Sequence, residues 1–150
     1  MKRNENLIPL SRDHHFGLLC CWKIRQGISK NVPYERIRNY INYFWQESLK
    51  EHFKTEDTVL PEVENESLNN QMENEHREIS KLIKSINQYD NMNLLADFAD
   101  ALQKHIRFEE RMLFPHLEEY LSDKQMNEIG VLLNGIHRNE QDNYPYEFWK

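Results

Sequence analysis

The chain has 150 residues, a net charge of −6, 39% hydrophobic and 29% charged residues. That is the length of one ordinary domain with apolar content enough for a single core, and it excludes a disordered chain. The acidic balance, with no basic run, argues against nucleic acid as a partner, and no apolar stretch reaches membrane-spanning length.

The opening, MKRNENLIPLSRDHH, lacks the apolar core of a signal peptide. The two cysteines, Cys20 and Cys21, are neighbours and would point in different directions on a helix, which is a poor geometry for a disulfide. Two free thiols suit a reducing compartment, so a cytoplasmic location is expected. Four glycines and five prolines favour a helical chain over a turn-rich β one.

Taken in order, the first helix is expected to begin at Ser11 as N-cap and to end around Gly27. Its apolar stripe is Leu10, His14, Gly17, Cys21, Ile24 and Ile28. The loop SKNVP follows, and Pro33 suits the first turn of a second helix. That helix runs through "HFKTE" (residues 52–56) and stops before Pro61, with the stripe Ile41, Trp45, Leu49, His52, Glu56 and Val59. A third helix, about 67–88, carries Met72, His76, Ile79, Ile83 and Ile86. The loop QYDNMN leads to a fourth helix through "HIRFE" (105–109) to the region of Pro115, with Leu95, Phe98, Leu102, His105, Glu109 and Met112 inward. A further helix opens at Ser122, where "SDKQ" has capping-box spacing, and runs to about 138. The tail NYPYEFWK is aromatic; docking on the bundle and a free contact surface are both open.

The fold class is therefore all-α: an up-down-up-down four-helix bundle over about 8–118, an extra helix at 122–138 and a tail at 144–150, all in one domain spanning 1–150. A weak internal repeat runs through it. "HFKTEDTVLP" and "HIRFEERMLFP" share His, Glu four residues on, an acid, Leu and Pro, and each follows a helix with its own inward His. A duplicated helical hairpin accounts for this better than a solenoid.

Residues four apart project from nearly one helix face, so His52 with Glu56, and His105 with Glu109, can approach one ion. His14 and His76 would join them across the core. A single His-x-x-x-Glu pair is ordinarily a solvated surface pair. Four imidazoles and two carboxylates in one apolar core are a different matter, because their desolvation is costly unless a metal takes them as ligands. Mixed nitrogen and oxygen donors without thiolate suit iron, with manganese or zinc possible. Six donors exceed what one tetrahedral zinc needs and match two ions bridged by both carboxylates, with room for a bridging oxygen species and an exogenous ligand. His15 is the second choice for His14, because its stripe (Leu18, Trp22, Arg25) turns polar. His116 lies too far along its helix, and His137 is expected at the surface. Asp57 and Glu110 are expected to point away into helix salt bridges. "ENEH" (73–76) matches once the Glu-x-x-His pattern of ferritin-like di-iron proteins, without a second copy.

"RDHH", "HFKTE" with "DTVLP", "NEH" at 74–76 and "HIRFEERMLFP", in this order, resemble a hemerythrin-like domain of the HHE cation-binding type. The resemblance implies a non-haem di-iron centre, oxo- or hydroxo-bridged, with His14, His52, His76 and His105 as terminal ligands and Glu56 and Glu109 as bridges. Oxygen carriers of this family have a fifth His where this chain has Ser80, and an Asp five residues after the last His where it has Glu109, four after His105. The resemblance therefore points to a protein that binds or senses oxygen, nitric oxide or peroxide more than to a simple carrier. A di-iron enzyme of peroxidase-like or nitric-oxide-handling type and a metal-free helical interaction module are the alternatives. A protein partner cannot be read from the residues.

Overall fold

The computed structural model describes residues 2–62, 66–136 and 142–150. Four long helices form the bundle: α1 (Ile8–Ser29), α2 (34–59), α3 (Glu66–Gln88) and α4 (92–120); α5 (Asp123–Asn134) packs on one end. No helix among the described residues is long and apolar enough to cross a membrane.

Each boundary has a local cause. Pro9 sits in the first turn of α1, where its missing N–H costs nothing, so the helix starts before Ser11. Ser11 is thus not a cap; its hydroxyl donates to the Glu110 carboxylate at 2.9 Å. Nor does Gly27 end the helix. It lies inside α1, where an added Cβ would come within 2.7 Å of the Phe148 ring. The left-handed residue is Asn31, with φ 57°, a conformation asparagine tolerates. Leu60, the residue before Pro61, is extended and stops α2. Ser122 forms the full capping box of α5 with Gln125. His137 and residue 138 lie outside the described residues.

Two helices contain a π-turn: Trp45–Leu49 within α2 and Glu109–Leu113 within α4. The second lets α4 continue past Pro115 to Tyr120, beyond its expected end, since the wider turn relieves the clash of the proline ring with the preceding turn. It also changes the buried face. One extra residue shifts the stripe, so Leu113 is buried and Met112, expected inward, is 57% exposed.

Two apolar layers result. One gathers Ile24 of α1, Ile37 and Ile41 of α2, Ile79 of α3 and Phe98 of α4. The other gathers Leu7, Leu10, Phe114 and Leu117 with Met126 and Ile129 of α5. The tail docks on the first layer: Phe148 and Trp149 are buried beside Tyr40. Asp142 accepts from Tyr40 Oη at 2.5 Å and from the buried Lys23 Nζ at 2.9 Å. Lys23 also lies 4.0 Å from the centroid of the Trp149 ring. Asp142→Ala should therefore strand a buried cation and destabilise the fold by about 3–5 kcal/mol, measurable as a shift of the urea midpoint.

Candidate metal centre

Between the two apolar layers lies a polar one. His14, His52, His76, His105, Glu56 and Glu109 are all buried, both carboxylates completely. The helical period puts each there: His52 and Glu56 share one face of α2, His105 and Glu109 one face of α4, while His14 and His76 face them from α1 and α3. The donors form two groups that share both carboxylates. His14, His52, Glu56 and Glu109 bring ligand atoms within 4.8 Å of one another, and so do His76, His105, Glu56 and Glu109. His15, one residue from His14, is exposed and belongs to neither group. His116 lies against Tyr120 with ring centroids 4.4 Å apart and tilted by 32°, also outside both groups.

The Nε2 atoms turn inward. His14 Nε2 is 2.8 Å from Glu109 Oε1, His52 and His76 Nε2 are each 3.2 Å from Glu56 Oε1, and His105 Nε2 is 3.3 Å from Glu109 Oε1. Yet His52 Nε2, His105 Nε2, Glu56 Oε2 and Glu109 Oε2 are buried without a hydrogen-bond partner. Each such atom costs about 1–3 kcal/mol, so four in one layer require something else to satisfy them.

The Nδ1 atoms turn outward, and each meets a carboxylate. His52 pairs with Asp13 at 2.8 Å, His105 with Glu75 at 2.8 Å, His76 with Asp57 at 3.1 Å and His14 with Glu110 at 3.1 Å. The order is regular. The acid just before the inward His of α1 holds the His of α2, and the acid just before the His of α3 holds the His of α4. The acid just after the inward Glu of α2 holds the His of α3, and the acid just after that of α4 holds the His of α1. Asp57 and Glu110, expected to point away into helix salt bridges, instead orient imidazoles on neighbouring helices. Glu75, and not the exposed Glu73 of "ENEH", is the acid used on α3. This ring was missed at the sequence level, although an acid beside each of His14, Glu56, His76 and Glu109 ("DH", "ED", "EH", "EE") was its visible signal.

Electrostatics follow from this packing. Burial pulls the His105 ring down, but Glu109 and Glu75 outweigh it and raise its pKa to about 10. Burial is likewise outweighed at His14, His52 and His76, which all lie above the usual imidazole range. Burial would raise Glu109, but His105 and its other partners hold it well below the carboxylate range. Without metal the layer is therefore a set of imidazolium–carboxylate pairs, and metal uptake must expel protons. A cavity of about 20 Å³ adjoins it on the core side, bounded by His14, His52 and His105 with Gly17, Leu102 and Ile106. Gly17 permits this approach of α1 to α4, since an added Cβ would lie 2.7 Å from Ile106 Cδ1.

A four-helix bundle with two carboxylate-linked His/Glu groups defines the class: a helical protein built to hold two metal ions. Comparison with known families agrees. The hemerythrin HHE cation-binding domain matches residues 15–117, so the chain belongs to that family. The matched span includes His52, Glu56, His76, His105 and Glu109 and begins one residue after His14. No curated protein and no solved structure matches the chain.

The sign of the pH dependence follows. His105 has a folded pKa of about 10, above its unfolded value of about 6.5. Its contribution is full below that unfolded value and is lost as pH rises through the folded one. Glu109, depressed on folding, contributes above the ordinary carboxylate pKa of about 4.3 and loses its contribution on acidification. Calorimetry on the metal-free protein should find Tm highest near pH 5–6.5 and falling steadily from about pH 6.5 to 10.

Proposed function

We propose that the chain is a single domain holding a non-haem di-iron centre that binds or senses oxygen or a related small ligand, nitric oxide or peroxide. The observation that carries this reading is the convergence of unpartnered inward Nε2 and carboxylate atoms on one buried layer. One ion would take His14 and His52, the other His76 and His105, with Glu56 and Glu109 between them. Two iron ions would supply reversible one-electron chemistry and an open position for a small ligand; manganese or zinc would fit the donor set with different chemistry.

The residues perform the rest. Asp13, Asp57, Glu75 and Glu110 hold each Nδ1–H, which fixes the tautomer that leaves Nε2 free to ligate. The apolar layers on either side exclude bulk water. The adjoining cavity of about 20 Å³ has room for one water-sized guest. Its lining combines the apolar Leu49, Phe53, Leu102 and Ile106 with His14, His52 and His105 of the donor layer. Its small volume favours binding of a small ligand over an enzyme acting on organic substrates. A metal-free interaction module would leave the four inward atoms unsatisfied. A reducing, cytoplasmic setting fits two buried free cysteines, of which Cys21 has its thiol pushed up to about 12 by burial and is inert as a nucleophile.

Loading the purified protein with ferrous iron anaerobically and measuring metal content should give about two irons per chain; a value below about one would overturn the reading. Asp13→Asn and Glu75→Gln should each weaken iron affinity about 10–100-fold while the helical circular dichroism is unchanged. Saturating iron should raise Tm, because only the folded chain assembles the donors.

A further inference from the structure

A groove of about 520 Å³ runs between α2 and α3 on the outside of the metal layer. Lys50 and Lys54 line one side, and Arg77, Lys81 and Lys84 the other. The spacings, four on α2 and four then three on α3, stack these cations along facing helix stripes. Among the described residues, none of the four lysines lies within ion-pairing distance of a carboxylate. Glu47, Glu51 and Glu78 belong to the same helices but do not line the groove. Five cations thus gather on a chain whose net charge is −6.

The floor of the groove is aromatic and leads inward. Trp45, half-buried, meets Phe53 edge-on with ring centroids 6.0 Å apart. Phe53 stacks on His76 at 4.1 Å and 17°. Asp57, the most exposed of the four outer carboxylates, joins the groove to the same imidazole. Ser80 lines the groove one turn beyond His76. A second ring contact reaches the donor layer, Phe114 stacked on His14 at 5.4 Å, but the cation over it, Arg3, is paired with Glu118.

We propose that this groove is the docking surface for an acidic protein that delivers single electrons to the metal centre through Trp45, Phe53 and His76. The cations are exposed and held by no buried partner, so they are not a preformed cradle for one small anion. They suit instead the long-range attraction of an acidic face, with Trp45 as the aromatic anchor. The acidic balance of the whole chain opposes nucleic acid as the occupant. Each encounter would oxidise the donor by one unit and pass one electron through His76 to an ion held by the donor layer, so two encounters would supply both ions. No bond within the chain forms or breaks. The electron-delivery half rests on the di-metal reading, while the docking half does not.

The test uses the full chain and a small acidic [2Fe–2S] ferredoxin as probe. First, calorimetric titration of the metal-free protein with oxidised ferredoxin should show binding that weakens about tenfold or more between low and 0.5 M salt. The exposed double variant Lys54→Glu/Lys81→Glu should abolish it, and the milder Lys50→Gln/Lys84→Gln should weaken it. Second, stopped-flow reduction of the oxidised, iron-loaded protein by reduced ferredoxin should slow about tenfold in Lys54→Glu/Lys81→Glu at low salt. Reduction by a neutral reduced flavin should be unchanged in that variant. Trp45→Leu should slow electron transfer from ferredoxin without altering the salt dependence. A chain that binds ferredoxin but takes up no metal would sink the di-metal reading and leave docking standing. Ferredoxin binding or reduction indifferent to salt and to both double variants would overturn the proposal. So would a groove that these variants show to serve self-association, RNA or inorganic phosphate instead.

Discussion

The structure depends on one constraint: six ionisable side chains share a single buried layer of a helical bundle. Each charge must find a partner there, and the chain supplies partners in two directions. Inward, imidazole nitrogens face two carboxylates that both donor groups share. Outward, each imidazole is held by an acid from a neighbouring helix. The outer ring ties α1 to α2, α3 to α4, α2 to α3 and α4 to α1, so the polar layer is also a cross-brace for the bundle. Loss of one acid would therefore be felt at an imidazole on another helix.

The apolar layers protect this brace at both ends. At one end the N-terminal segment and α5 cover the site, with Leu7, Leu10, Phe114 and Ile129 packed together. At the other the C-terminal tail seals the bundle through Phe148 and Trp149, anchored by the Lys23–Asp142–Tyr40 cluster. The tail is thus a structural element of the end remote from the metal layer, which resolves the choice its aromatic composition left open. The groove between α2 and α3 is where the surface comes closest to the donors by a path of rings, and there the charge is locally reversed.

The π-turns show how small irregularities adjust the layer. In α4 the turn begins at Glu109 itself, so the helix presents His105 and Glu109 with ordinary four-residue spacing and widens immediately afterwards. The extra residue then brings Leu113 and Phe114 into the second apolar layer. In α2 the other turn precedes His52 and supplies Trp45 and Leu49, one on the groove and one beside the cavity. Such turns accumulate at functional layers because they re-aim one stretch of a helix without ending it.

What the residues alone determined is the bundle, the inward stripes and the six buried donors, because a 3.6-residue period is a property of each helix by itself. That His14 and not His15 faces inward, and that His52 with Glu56 and His105 with Glu109 are buried on one face, was legible for that reason. Helix ends were less so: Ser11 and Gly27 have cap chemistry, but α1 starts at Ile8 with Pro9 in its first turn and ends at Ser29, two residues before the left-handed Asn31, and propensity does not choose between nearby candidates. Met112 was misplaced because the template assumes an unbroken α-helix, and the π-turn rotates everything after it. The outer carboxylate ring, the docked tail and the cationic groove with its aromatic floor were decided only by tertiary structure. Each depends on the rotation and offset of one helix against another, and that relation arises only when the helices pack.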